Sequence, residues 1–140
     1  DIGIYFKRLF KIVGFRVKGK PGALYYDTEY KEDDADIEAF IPVKPGFKSN
    51  ELVSKRLPAV RIHSLIHIGP YQMLNRSYKK MVDYLEENNI KVEKPTRELY
   101  LKGPGMIFKG NPEKYVTEIQ YVEKQNWYWF LWSCLFLRGF

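Results

Sequence analysis

Glu98 and Tyr100, one position apart in this 140-residue chain, are the residues best placed to do chemistry. They lie in Arg97-Glu98-Leu99-Tyr100-Leu101. In a strand, Glu98 and Tyr100 share one face, and Arg97, Leu99 and Leu101 share the other. A carboxylate among aromatic rings is matched to a lipophilic cation. Each ring face attracts the positive charge by roughly 0.5–2 kcal/mol, and the carboxylate neutralises it. Such a site would reject anions. The residues alone leave a second reading open, a surface Glu98 paired with a nearby Lys or Arg. The apolar Leu99 and Leu101 suit a face packed by helices, so Glu98 and Tyr100 are expected to face a cleft on the opposite side.

Other chemistries find less support. His63 and His67 are four apart, which on a strand places them about 13 Å from each other, too far for one metal ion. His67 is expected to hydrogen-bond the turn before Pro70. Cys134 is the sole cysteine, so no internal disulfide and no cysteine metal site are expected. No Ser-His-Asp order or phosphate loop is visible. Neither a metal nor a cofactor is expected. The formal charge is +6, but the basic residues are scattered, as on a solvated surface. Direct nucleic-acid recognition is not expected, since no helix-turn-helix lies in these residues. The lone cysteine and the absence of a signal peptide suit the cytoplasm.

The elements that must position Glu98 read as one unit written twice. Lys20-Pro21-Gly22-Ala23-Leu24-Tyr25-Tyr26 returns as Lys94-Pro95-Thr96-Arg97-Glu98-Leu99-Tyr100. Asp36-Ile37-Glu38-Ala39-Phe40 returns as Val116-Thr117-Glu118-Ile119-Gln120. A helix is expected over residues 4–15, on the spacing of Phe6, Leu9, Phe10 and Val13, with Gly14 near its end. A second is expected over 71–87, with Leu74, Tyr78, Met81, Val82 and Leu85 as its apolar stripe. Strands are expected at 23–26, 37–43, 59–68, 97–101 and 115–122. The order predicts an α+β domain of two pseudo-symmetric βαββ units. They would form an antiparallel sheet with helices on one face and a ligand cleft on the other. The leading strand of the first unit is expected to be missing, cut away ahead of residue 4.

In the duplicated frame Tyr25 echoes Tyr100 and would flank the cleft from the other half, with Tyr26 toward the helices. Phe40 shares a face with Glu38 and is a candidate wall. Tyr71 is either a wall or packing at the helix start. Glu38 and Glu118 are expected in salt bridges.

The residues also resemble a known family. His67-Ile68-Gly69-Pro70-Tyr71, Leu74, Ser77-Tyr78, Tyr84, Arg97-Glu98-Leu99-Tyr100 and Val116-Thr117-Glu118-Ile119 are similar to the GyrI-like small-molecule-binding domain. It is also called the AraC-type, or bacterial transcription-activator, effector-binding domain. Tyr25-Tyr26-Asp27 and Ile37-Glu38-Ala39-Phe40-Ile41-Pro42-Val43 resemble its first half, so the likeness covers about residues 4–122. It implies a cleft lined by aromatic side chains with a glutamate at its centre, here Glu98. Hydrophobic, often cationic, small molecules bind there. Ligand-binding residues implied or expected are thus Glu98, Tyr100, Tyr25, Phe40 and Tyr71. The resemblance implies a domain fused to, or working with, a DNA-binding domain, or a stand-alone drug-binding protein. The alternatives it carries are a hydrolase of reactive electrophilic toxins with Glu98 catalytic, and a gyrase-modulating interaction protein.

The domain is expected to occupy residues 1–122, followed by an atypical hydrophobic tail at 123–140. The Trp-rich run at 127–137 is about half the length a membrane-spanning helix needs, so no membrane partner is expected. It is expected to be a packed tail, a dimer contact or, in the favoured reading, an out-of-frame end.

Overall fold

The computed structural model describes residues 2–28, 31, 34–105 and 110–125. The first helix, α1 (Ile2–Val13), stops where Gly14 takes φ +58°, a left-handed conformation that closes helices at little cost. Two short strands follow, β1 (Gly22–Tyr25) and β2 (Ile37–Phe40). The second unit comprises β3 (Ile62–Ile68), α2 (Leu74–Glu87), β4 (Val92–Lys102) and β5 (Val116–Glu123). A single 3-10 turn at Tyr71–Met73 leads into α2, and Asn89 at φ +52° ends it.

The strands form one five-stranded sheet in the order β2-β1-β4-β5-β3, with every neighbouring pair antiparallel. The two units meet where β1 pairs with β4. Ala23 lies directly opposite Glu98, its equivalent in the repeat. The approximate two-fold between the halves therefore passes through this pair. Gly22 is required beside it. A Cβ there would lie 2.4 Å from the Glu98 carbonyl oxygen and 2.5 Å from Cζ of Phe40.

Both helices pack on the same face of the sheet. Leu74, Tyr78, Met81 and Leu85 of α2 form a buried cluster with Ile119 and Tyr121 of β5. Phe6 of α1 meets the Tyr100 ring edge-on, with centroids 5.5 Å apart. Val82 lies outside the apolar stripe and is exposed, because it sits a quarter-turn from Met81 toward solvent. No helix among the described residues is long and apolar enough to cross a membrane.

Two facings differ from those the sequence predicts. Glu98 pairs with Ile119, so Glu98 and Tyr100 point toward the helices rather than away from them. Leu99 and Leu101 take the opposite face, where they are half-buried. Tyr26 does not meet the helices; it is exposed and donates to Glu38 Oε2 at 3.0 Å. Glu38 does form the expected ion pair, with Lys55 at 2.7 Å. Glu118 forms none among the described residues. The Trp-rich run and Cys134 lie outside the described residues.

Candidate ligand-binding site

The largest fully buried side chains are Ile119, Glu98, Thr96 and Thr117. Three of these four are polar, so the sheet places polar groups at the centre of its helix-covered face. Alternation brings them together. Thr96, Glu98 and Tyr100 project from β4, Ala23 and Tyr25 from β1, and Thr117, Ile119 and Tyr121 from β5.

Three phenols converge on the Glu98 carboxyl. Tyr78, from α2, donates to Oε1 at 2.5 Å. Tyr100 donates to Oε2 at 2.9 Å and Tyr25 donates to the same oxygen at 3.2 Å. The Tyr25 and Tyr100 oxygens are themselves 3.2 Å apart. These two tyrosines are repeat equivalents, 75 residues apart, and reach the Glu98 carboxyl from opposite sides of the two-fold. Ala23 across from Glu98 leaves the space that a second large side chain would fill.

Burial holds the Glu98 carboxyl above the usual range, while the hydrogen bonds from Tyr78, Tyr100 and Tyr25 pull it back down. No basic side chain among the described residues lies within ion-pair distance of it. Burial likewise lifts the Tyr78 and Tyr100 hydroxyls far above the ordinary phenol value, with the Glu98 charge adding to it.

Aromatic rings extend the group outward. Tyr71 meets Tyr100 edge-on at 5.7 Å and lies 5.3 Å from Tyr115. Burial pushes the Tyr71 hydroxyl up to about 12. Gly103 makes room for it, since a Cβ there would stand 2.7 Å from the Tyr71 oxygen. The Thr117 hydroxyl, opposite Tyr100 in the β4–β5 register, is buried without a hydrogen-bond partner among the described residues. His67 is occupied at the helix entrance, with Nδ1 2.8 Å from Ser77 Oγ and Nε2 3.2 Å from the Pro70 carbonyl oxygen.

Of the five residues singled out in the sequence, the structure brings Glu98, Tyr100, Tyr25 and Tyr71 into one group. Phe40 is not part of it. It pairs with Gly22 while Ala39 pairs with Ala23, so its ring projects from the face opposite Glu98. Tyr78, Phe6 and Thr117 were missed as site residues. Tyr78 reads as core because it falls on the apolar stripe of α2. Its signal is the hydroxyl, which needs a partner when a tyrosine is buried.

A family model for the GyrI-like small molecule binding domain matches residues 5–121. Among solved structures, the crystal structure of the EcmrR C-terminal domain is 26% identical, with a TM-score of 0.73 over 90% of this chain and 85% of that one. EcmrR in its DNA complex, determined by cryo-EM, is 25% identical, with a TM-score of 0.70 over 90% of this chain and 50% of that one. The chain thus spans about half the length of that EcmrR chain. An uncharacterized conserved protein from Listeria innocua shares the fold at 18% identity, with a TM-score of 0.54 over 88% of this chain and 75% of that one. No curated protein sequence matches.

Proposed function

Since the chain belongs to the GyrI-like family of small-molecule-binding domains, we propose that its ligand is a hydrophobic cation anchored on Glu98. The observation that carries this reading is a buried carboxyl with three phenol donors and no basic partner among the described residues. A bound cation supplies the missing opposite charge. Tyr25, Tyr71 and Tyr100 offer ring faces for it, each contributing roughly 0.5–2 kcal/mol. The same phenols stabilise the carboxylate once the ligand ionises it.

We propose further that the domain works as an effector sensor within, or alongside, a DNA-binding regulator. The likeness to EcmrR, a protein solved in complex with DNA, supports this.

Titration with a lipophilic cationic dye tests the anchor. Glu98→Gln keeps the shape and removes the charge. Its affinity is expected to fall by about tenfold or more. Equal affinity in the two proteins would sink the proposal.

The raised value of Glu98 also favours a second reading, in which the carboxyl protonates a bound electrophile as a general acid. Turnover of a strained-ring electrophile, lost in Glu98→Gln while that variant still binds the electrophile, would support hydrolysis over binding alone.

A further inference from the structure

The site as it stands is shut. Glu98 is 1% exposed. The cavity that touches its donors Tyr25 and Tyr78 measures about 20 Å³, room for one water. A drug-sized ligand needs a pocket of roughly 300 Å³ or more. A ligand anchored on Glu98 therefore requires an element on the helix-covered face to move first.

The two helices on that face are held very differently. α2 buries Leu74, Tyr78, Met81 and Leu85 in the common core, and its Tyr78 hydroxyl is bound to Glu98. α1 buries only Val13. Its Ile4 and Tyr5 are exposed, and its ion pair, Arg8 with Glu51 at 3.3 Å, joins two exposed side chains and adds little stability. Over the site itself α1 lays Phe6 against the Tyr100 ring, a ring the ligand needs. The helix leaves for the sheet through Gly14, which takes φ +58°. Among the described residues no atom stands within 4 Å of the place a Cβ would occupy there. Close by, an open groove of about 430 Å³ separates Arg16 from the turn at residues 44–48, so the joint is not packed in.

We propose that α1 is the lid of the ligand site, hinged at Gly14 and latched by Phe6, which occupies the ligand's place on Tyr100. This rests on Glu98 as the anchor and adds how the anchor is reached. Apparent affinity is then the affinity of the open form, reduced by the fraction of molecules that are open. Weakening the docked lid tightens binding. Damage to a preformed pocket does the reverse.

Titration of the whole chain with a lipophilic cationic dye tests the lid. Gly14→Ala strains the joint in its docked, left-handed conformation and relaxes once α1 swings away. It is expected to bind the dye about tenfold tighter than wild type. Phe6→Ala removes the latch and is expected to bind several-fold tighter. Unchanged or weaker binding by Gly14→Ala would overturn the lid. Weaker binding by Phe6→Ala would make Phe6 a wall of the pocket and overturn the latch. Glu98→Gln, alone and combined with Gly14→Ala, separates the lid from the anchor. Loss of affinity in both Glu98→Gln proteins supports the two together. Undiminished affinity in both, with Gly14→Ala still tightening, would overturn the anchor and leave the lid standing. Absence of dye binding by every one of these proteins would overturn both.

Discussion

β1 and β4 are equivalent strands of a duplicated unit, pair with each other, and differ most at the point where they face. Ala23 stands on one side of the two-fold and Glu98 on the other, both fully buried. The symmetric part of the pair is the tyrosines. Tyr25 and Tyr100 arrive from opposite directions and place their hydroxyls on the same carboxylate oxygen. The helices repeat the contrast. From α2, Tyr78 reaches Glu98, while α1 contributes Phe6 against the Tyr100 ring. The difference teaches how duplication produces a site. The repeat supplies a matched pair of donors around an axis, and a single substitution at the axis supplies the charge they surround. Two carboxylates at that point would repel in a buried space, so the small residue in one half is the condition for the acid in the other.

That comparison can be broken most severely by restoring symmetry. Ala23→Glu places a second carboxyl opposite Glu98 and is expected to destabilise the domain by roughly 3–5 kcal/mol at neutral pH, read by denaturant unfolding. The pH dependence has a definite sign. Burial raises the folded-state value of Glu98 above its unfolded value. The stability this contributes is complete below the unfolded value and is lost as pH rises through the folded one. The added carboxyl strengthens that trend, so the deficit of Ala23→Glu should shrink on acidification. A deficit that grows on acidification would contradict the shared burial of the two groups.

Gly22→Ala disturbs the close approach of the halves without adding charge. Its Cβ meets the backbone oxygen of Glu98, and a cost of about 3 kcal/mol is expected by thermal or chemical unfolding. A neutral outcome would show that β1 can move away from β4 freely.

Single phenol deletions sharpen the contrast between symmetric and asymmetric donors. Tyr78→Phe removes the sole contact described for Oε1 and is expected to cost about 2 kcal/mol. Tyr25→Phe is expected to cost about 1 kcal/mol, since Tyr100 still serves the same oxygen. The reverse ranking in unfolding experiments would mean that the two-fold pair, rather than the α2 contact, holds the carboxyl. Val82→Ala is the control outside this network, with a change expected within about 0.5 kcal/mol.

Much of the chain's organisation was legible before any coordinates. Phe6, Leu9, Phe10 and Val13 mark α1, and Gly14 ends it in the conformation that a closing glycine takes. The repeat pointed to Tyr25 rather than Tyr26 as the partner of Tyr100, and the two hydroxyls are in contact. Extents were less legible. β4 begins at Val92, well before the predicted residue 97, because β5 continues to pair with it as far as Glu123. β3 begins at Ile62 rather than residue 59 because its ladder with β5 begins there, opposite Val122. Strand ends are set by where a partner runs out, and the partner is distant in sequence.

The sequence by itself determined the parity of each strand. Side chains alternate with a period of two, so Glu98 and Tyr100 had to share a face whatever the fold did. It also determined the duplication and, through Ala23 and Glu98, where the duplication breaks. Tertiary structure decided which face that was. Leu99 and Leu101 are apolar enough for a core, yet α1 and α2 pack on the side of Glu98. The hydroxyls of Tyr25 and Tyr100, together with that of Tyr78 above, make burial of the acid tolerable there. The β1–β2 register placed Phe40 on the other face, and the docking of α2 brought in Tyr78. A buried carboxyl requires donors from several elements at once. Their convergence depends on how helices and strands meet in space, which a strand's local alternation does not encode.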